Sequence, residues 1–241
     1  MEIDKDILTV VIPCYNAGEF IEDCLGSLLR QKVKSLYKIL FINDASTDDS
    51  LERAKRKTGA LANVTFLEHE TTQGLVKCCN KALSLIDTPY FVRLDADDYF
   101  SPDAIEKIFE EINSPIKNDF VIFKRWDILN DGIKEIESDS DIYAWIAAGT
   151  LFSTDAVKSV KGYSKQYWEE FDLYLKLLET KHSFGSSPYR IYYYRRNSGS
   201  MTKNLEENRA GFKRLLEKWG GDTLKKYGDF KKAADYYGVK S

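Results

Sequence analysis

Apolar and polar positions alternate along the first hundred residues in two rhythms. Ile7–Ile12 is a short, continuous apolar run rich in β-branched residues and is stopped by Pro13, the pattern of a buried strand. Phe20, Ile21, Cys24, Leu25, Leu28 and Leu29 then recur at helical spacing and give one apolar face. Tyr37–Ile42 reads as a second strand. Ser46 or Thr47 is placed to cap the helix that follows, with Asp48 and Asp49 in its first turn. Val64–Leu67 predicts a third strand, Gly74–Ile86 a helix and Tyr90–Leu94 a fourth strand. Ser101-Pro102-Asp103 starts another helix, with a capping hydroxyl, proline at the first helical position and then an acid.

This alternation of strand and helix predicts a parallel sheet covered on both faces. Ligands of such sheets bind beyond the carboxyl ends of the strands. The residues there are Pro13-Cys14-Tyr15-Asn16, Asn43-Asp44-Ala45-Ser46, Glu68-His69-Glu70 and Asp95-Ala96-Asp97-Asp98, and three of these four ends are polar and acidic. After residue 115 the rhythm changes. Phe120–Trp126 and Ile133–Ile136 flank Asn130-Asp131-Gly132, a hairpin signal. Thr154–Val160 predicts a short helix, Phe171–Leu178 a longer one and Arg190–Arg196 an aromatic strand. Residues 203–241 read as helical and charged.

Composition narrows the class. The 241 residues hold 35 Lys+Arg, 38 Asp+Glu and 2 His, a formal charge of −3, with 43% hydrophobic and 30% charged residues. These are the proportions of a soluble globular protein with an ample core, and the charge argues against nucleic-acid binding by bulk electrostatics. No stretch approaches the ~20 apolar residues needed to span a bilayer, and the acidic start, Met1–Asp6, is unlike a signal peptide. Cys14, Cys24, Cys78 and Cys79 lack CxxC spacing, so reduced thiols in a cytoplasm are expected. The charge is unevenly spread: residues 203–241 carry 10 Lys+Arg against 6 Asp+Glu, leaving 25 against 32 in the first 202.

Three constellations can carry chemistry. In Leu94-Asp95-Ala96-Asp97-Asp98, three carboxylates at a strand end raise each other's pKa unless a cation compensates them. Hard oxygen ligands suit Mg²⁺ or Mn²⁺ bound jointly with substrate phosphates; a solvated acidic loop capping the next helix is the plain alternative. An EF-hand loop beginning at Asp95 fails, because Phe100 holds its glycine position and a strand precedes it. No P-loop occurs, and the place after the first strand lacks the Asp-x-Asp of an aspartyl-nucleophile phosphotransferase. Asp44, ending the second strand, is placed to accept a hydrogen bond from a nucleobase imide or a ribose hydroxyl. In Trp168-Glu169-Glu170-Phe171-Asp172, acids at a helix start favour the dipole and also offer a general base. The lone His69 and His182 read most simply as structural or solvated. Tyr192-Tyr193-Tyr194-Arg195-Arg196 is a core strand with snorkelling ends or a source of contacts to a diphosphate.

In order and spacing these segments resemble the family-two glycosyltransferases of GT-A fold. Thr9–Asn16 is similar to the family's opening strand and nucleotide turn, and Asn43-Asp44-Ala45-Ser46-Thr47-Asp48 to its Asp-Asp-Gly-Ser-Thr-Asp motif. Gln73–Asn80 resembles its Asn-x-Gly-x-x-x-Ala-x-Asn segment, and Leu94–Asp98 its Asp-x-Asp metal motif. Glu169–Tyr174 resembles the Glu-Asp-x-Asp-Leu-Trp segment that carries the base, and Tyr194–Ser200 a Tyr-Arg-x-His-x-x-Ser segment. The resemblance covers residues 7 to about 202. It implies an α/β GT-A fold, Rossmann-like in its nucleotide-binding half, with a mixed central sheet and C-terminal helices. It further implies a catalytic domain over 1–202, divided into a nucleotide half (1–100) and an acceptor half (101–202), with a helical tail over 203–241.

The implied roles follow residue by residue. Asp44 reads the base, walled by Pro13, Tyr15 and Asn16, with Gly74 also at the nucleotide. Asp95 lies near ribose and metal, Asp97 ligates Mn²⁺ or Mg²⁺, Glu170 is the base with Glu169 next in line, and Arg195 contacts the diphosphate. Departures are Asn43 and Ala45 for Asp and Gly, Cys79 where an Arg is frequent, Glu170 for Asp, and Asn197 where a His is common. The processive branch's Gln-x-x-Arg-Trp motif is absent, since Arg125-Trp126 lacks the Gln. The expected activity is inverting transfer of a single sugar from a nucleoside-diphosphate sugar, a UDP-sugar first, to a hydroxyl of a glycan or lipid-linked acceptor in polysaccharide biosynthesis. The expected location is the cytoplasm, with the basic tail available for a peripheral contact at the inner membrane face or for a homodimer. The alternatives are a catalytically degenerate nucleotide-sugar binding protein and a nucleotidyltransferase. The second lacks a Gly-rich cationic loop after the first strand.

Overall fold

A computed structural model of the chain describes residues 6–33, 37–137, 141–165, 168–196, 204–236 and 238–239. β1 (Leu8–Cys14), β2 (Tyr37–Asn43), β3 (Val64–Glu68) and β4 (Tyr90–Arg93) form the parallel part of one mixed sheet, in the order β3-β2-β1-β4. Antiparallel β8 (Leu151–Ser153) continues the sheet beyond β4. β6 (Phe120–Leu129), β9 (Phe184–Arg195) and β5 (Tyr99–Phe100) follow, and β7 (Gly132–Ile136) pairs with β6 as the expected hairpin.

The apolar runs are continuous because both faces of this sheet are covered. Val10, Ile12, Ile39 and Phe41 pack with α1 (Ile21–Leu29) and α4 (Ala104–Ile112) on one face. Val11, Leu40 and Ile42 face the other way, toward α3 (Leu75–Leu85), α5 (Thr154–Ser159) and α6 (Glu169–Glu179). Pro13 sits within a central strand without breaking a ladder. Val11 accepts from Leu94 N on the β4 side and Cys14 from Asp44 N on the β2 side, so Pro13 faces β4 just beyond its last paired residue, where no donor is required.

Several boundaries depart from the sequence reading. α2 (Ser50–Thr58) begins four residues after Ser46, which instead accepts from Asn16 N at 3.0 Å. Asp48 accepts from Ser50 N at 3.1 Å and also from Gly18 N at 2.9 Å, so it ties the first strand's loop to the start of α2, whose N-cap is Asp49. α4 starts at Ala104, because Ser101 directs its hydroxyl to the Asp103 carboxylate at 2.7 Å, and Pro102 lies outside the helix. β9 begins six residues before Arg190. Its early residues, Gly185-Ser186-Ser187-Pro188, have no apolar alternation, and the pairing with β6 shifts register beside Pro188, which has no N–H to give. β5 and β8 are too short to show a period, and each is held by pairing to a longer strand.

The C-terminal segment packs on the α6 side of the sheet. α7 (Leu205–Lys226) changes direction at Gly220, where φ is 73°, and α8 (Phe230–Tyr236) follows. Phe212, Leu215 and Leu224 are buried in the same cluster as Trp168 and Phe171. Among the described residues, no helix is long and apolar enough to cross a membrane.

Candidate active site

The carboxyl ends of β1, β2 and β4 bring the predicted residues to one edge of the sheet. The loop after β1 is pinned to the loop after β2. Asn16 has a left-handed backbone (φ 49°) and its side-chain oxygen accepts from Thr47 N at 2.8 Å, while Ala17 N donates to Ser50 Oγ at 2.8 Å. Asn and Ser suit these places because a short polar side chain can satisfy a neighbouring turn. Pro13 is half-buried in this wall and Tyr15 is 52% exposed, an aromatic face beside the crevice.

Asp44 is buried, yet fully engaged. Its Oδ1 accepts from Gln73 N and lies against His69 Nδ1, both at 2.8 Å, and Oδ2 accepts from Gly74 N at 2.8 Å. Burial works against its charge, but the hydrogen bonds from His69, Gln73 and Gly74 prevail and hold its carboxyl below the usual range. Gly74 has φ 86°, a conformation costly for a residue with a Cβ, and its N–H thereby reaches Asp44. Asp44 therefore organises the start of α3 before it can meet any base. His69, just after β3, has a carboxylate partner in Asp44 that its lone place in the sequence did not show.

The acidic strand end is built around a cation that sequence reasoning missed. Arg93 is buried, with Nε 2.8 Å from Asp95 Oδ1, Nη2 donating to Asp95 Oδ2 at 3.2 Å, and Nη1 3.6 Å from Glu169 Oε1. One signal was present: a lone charge between Val92 and Leu94 in a buried strand demands a partner. Asp98 turns inward and accepts from Tyr192 Oη and Arg195 N, both at 2.7 Å. Burial, then the neighbouring Asp97 and Asp95, pushes its carboxyl well above the ordinary range. Gly149 makes room for the Tyr192 ring, since a Cβ there would lie 2.7 Å from it. Arg195 braces the same loop: Nη1 donates to the Asp97 carbonyl at 2.9 Å and Nη2 to Asp23 at 2.8 Å, with the guanidinium over Tyr99.

Glu169 and Glu170 open α6 immediately after Trp168, whose backbone is left-handed (φ 64°). That conformation costs a bulky residue about 1–3 kcal/mol. Stacking on Phe171 (5.2 Å between centroids) and contact with Phe212 (5.5 Å) hold it there. Burial, then the Glu169 carboxylate, raises the Glu170 carboxyl well above its ordinary range, which is the direction a general base near neutral pH requires. Asp172, two residues on, is fully buried and accepts from Lys218 Nζ at 2.6 Å and Trp219 Nε1 at 2.9 Å, both on α7. Burial opposes its charge, but these donors hold its carboxyl below the usual range. Asn197 lies outside the described residues.

Asp95 and Asp97 offer hard oxygen atoms at a half-buried strand end, which fits Mg²⁺ or Mn²⁺ completed by phosphate oxygens. Arg93 already grips Asp95, so Asp97 is the donor outside that grip. Among the described residues, the group of three ligand-type side chains within 4.8 Å is Asp44, His69 and Cys78, at the β2–β3 end. A thiol and an imidazole are softer donors than those two ions favour.

The family model described as "Glycosyl transferase family 2" matches residues 9–167. A teichoic acid poly(glycerol phosphate) polymerase of Staphylococcus epidermidis is 34% identical over 110 residues, 44% of this chain and 15% of that protein. A processive diacylglycerol beta-glycosyltransferase of Mycoplasma genitalium is 32% identical over 122 residues, 49% of this chain and 34% of that one. The aligned part is thus a minor share of these relatives' length. Among solved structures, S. aureus TarS 1–349 in complex with UDP-GlcNAc superposes with a TM-score of 0.72 at 19% identity, over 95% of this chain and 73% of that one. The mannosyltransferase PcManGT from Pyrobaculum calidifontis, in complex with GDP-Man and Mn²⁺, gives 0.67 at 14%, over 96% and 76%. The fold is accordingly GT-A, as the sequence resemblance implied.

Proposed function

The chain belongs to glycosyl transferase family 2, and from that premise we propose that it moves a single sugar, with inversion, from a nucleoside-diphosphate sugar to a hydroxyl of a glycan or lipid-linked acceptor. The observation that carries this reading is the bridge of Arg93 between Asp95 on the β4 end and Glu169 on α6, 74 positions apart in sequence. A phosphate-side acid and a base-side acid pair belong to one pocket.

Pro13, Tyr15 and Asn16 wall the nucleotide, with Asp44 and Gly74 holding the loop against which the base lies. UDP is the first candidate nucleotide, since TarS was solved with UDP-GlcNAc. A divalent cation held by Asp97 and Asp95 would supply positive charge for the departing diphosphate. Arg195 keeps the loop of Asp97 in place from behind. Glu170 takes the proton of the acceptor hydroxyl as its oxygen attacks the anomeric carbon from the face opposite the diphosphate. One such displacement inverts the configuration. Residues 101–202 form the acceptor side, and the basic stretch over 203–241 is available to an anionic surface or a second copy.

The test is a panel of nucleoside-diphosphate sugars with Mn²⁺. Release of nucleoside diphosphate, with the product's anomeric configuration opposite to the donor's by NMR, supports the reading. Release of pyrophosphate points to nucleotidyl transfer, and tight donor binding without turnover points to a binding protein. Repeated addition to one acceptor would return the processive chemistry named for the Mycoplasma relative.

A further inference from the structure

Arg93 is a buried cation that the proposed reaction does not use directly. It emerges from β4 beneath the acidic loop and contacts carboxylates on two separate elements, Asp95 at 2.8 Å and Glu169 at 3.6 Å. It lines a small cavity with Val11, Cys79, Ala82, Phe91 and Tyr163. Position 79, on α3, thus faces the same space as Arg93 from another element, and there it carries a buried thiol. A buried carboxylate without a cation is costly, and breaking such a pair from one side leaves the other charge stranded. Arg93 pairs with Asp95 and Glu169, and Glu170 adjoins Glu169 at the start of α6.

We propose that Arg93 is the positioning residue of this site: one guanidinium from β4 fixes the acidic loop and the start of α6 relative to each other, so that the donor-side and base-side carboxylates stand at working distance. What matters is a guanidinium in this cavity, whichever element supplies it, so that position 79 on α3 is an equivalent point of origin. The catalytic part of this inference rests on the reading of Glu170 as the base, whereas the coupling of the two elements does not.

Two measurements test it. First, thermal unfolding is compared for wild type, Arg93→Met, Glu169→Gln and the double variant. Loss of either partner should lower the midpoint by several degrees. In the Arg93→Met background the sign should reverse, because Glu169→Gln then removes a stranded charge and raises the midpoint. Purely additive shifts would overturn the coupling. Second, steady-state kinetics are measured for Arg93→Met, Arg93→Lys and the relocated pair Cys79→Arg with Arg93→Met. Arg93→Met should lose tenfold or more in kcat with donor KM changed less. Arg93→Lys should recover part, and the relocated pair should regain at least tenfold over Arg93→Met. An unimpaired Arg93→Met would overturn the positioning role, and a folded relocated pair no better than an impaired Arg93→Met would overturn the equivalence of position 79. If the wild type turns over no donor, glycosyl transfer itself is wrong, and the unfolding comparison still decides on Arg93.

Discussion

Glu170 and Glu169 show how two adjacent residues of one type acquire different work. Glu169 is buried against Arg93, whereas Glu170 has its carboxyl raised by burial and by Glu169. Glu170→Gln is expected to keep nucleotide-sugar affinity while losing about 10²–10⁴-fold in kcat, the usual worth of a general base; calorimetry and turnover on the same preparation check both halves. If Glu170 is the base it must be ionised to act, and its raised value then makes activity appear only as pH climbs past the ordinary carboxylate range. Glu169→Gln removes the like charge, lowers the Glu170 value and should move the acid limb of the kcat/KM profile to lower pH. An unmoved limb would assign that limb to another group.

Among elements, α6 and α7 form the pair on which the site depends. The buried Asp172 carboxylate takes donors from Lys218 and Trp219, and Trp168 of the α6 start meets the rings of Phe171 and Phe212. Asp172→Asn should cost about 1.5–3 kcal/mol, the range for hydrogen bonds to a charged group, read by urea denaturation. Because its folded value lies below the unfolded one, Asp172 contributes stability above the ordinary carboxylate range and loses it as pH falls through the folded value. The variant should therefore show a smaller stability loss than wild type on acidification. The α6 start was legible from its acids and apolar spacing. Its docking was not, since Lys218 and Trp219 stand 46 and 47 positions away in a stretch that reads as a charged, solvated face.

For the whole molecule, the proposed reaction puts the nucleotide at the ends of β1, β2 and β4 and the base on α6 behind the sheet. Phe212, Leu215 and Leu224 join the core beneath α6. At about 1.5–3 kcal/mol for each buried side chain, together they match much of the ~5–15 kcal/mol that stabilises a typical domain. A chain ending at residue 203 should thus lose its cooperative unfolding transition or aggregate; a truncated form with an unchanged midpoint would make α7 and α8 dispensable. Apart from Lys218, which holds Asp172, the cations Lys213, Arg214, Lys225, Lys231 and Lys232 of this layer are exposed, so neutralising these five should leave the fold intact.

The sequence by itself determined the strand–helix alternation, both faces of the parallel strands, the hairpin at Asn130–Gly132 and the acids at the strand ends. These depend on local period, turn chemistry and burial, which neighbours along the chain record. Only the tertiary structure decided that Ser46 serves the first loop, that Asp44 is held by Gln73, Gly74 and His69, and that Arg93 joins Asp95 to Glu169. Each is a contact between distant segments. A carboxylate, hydroxyl or guanidinium has several chemically equivalent partners in a sequence, and the one it takes is chosen by where the folded backbone places it.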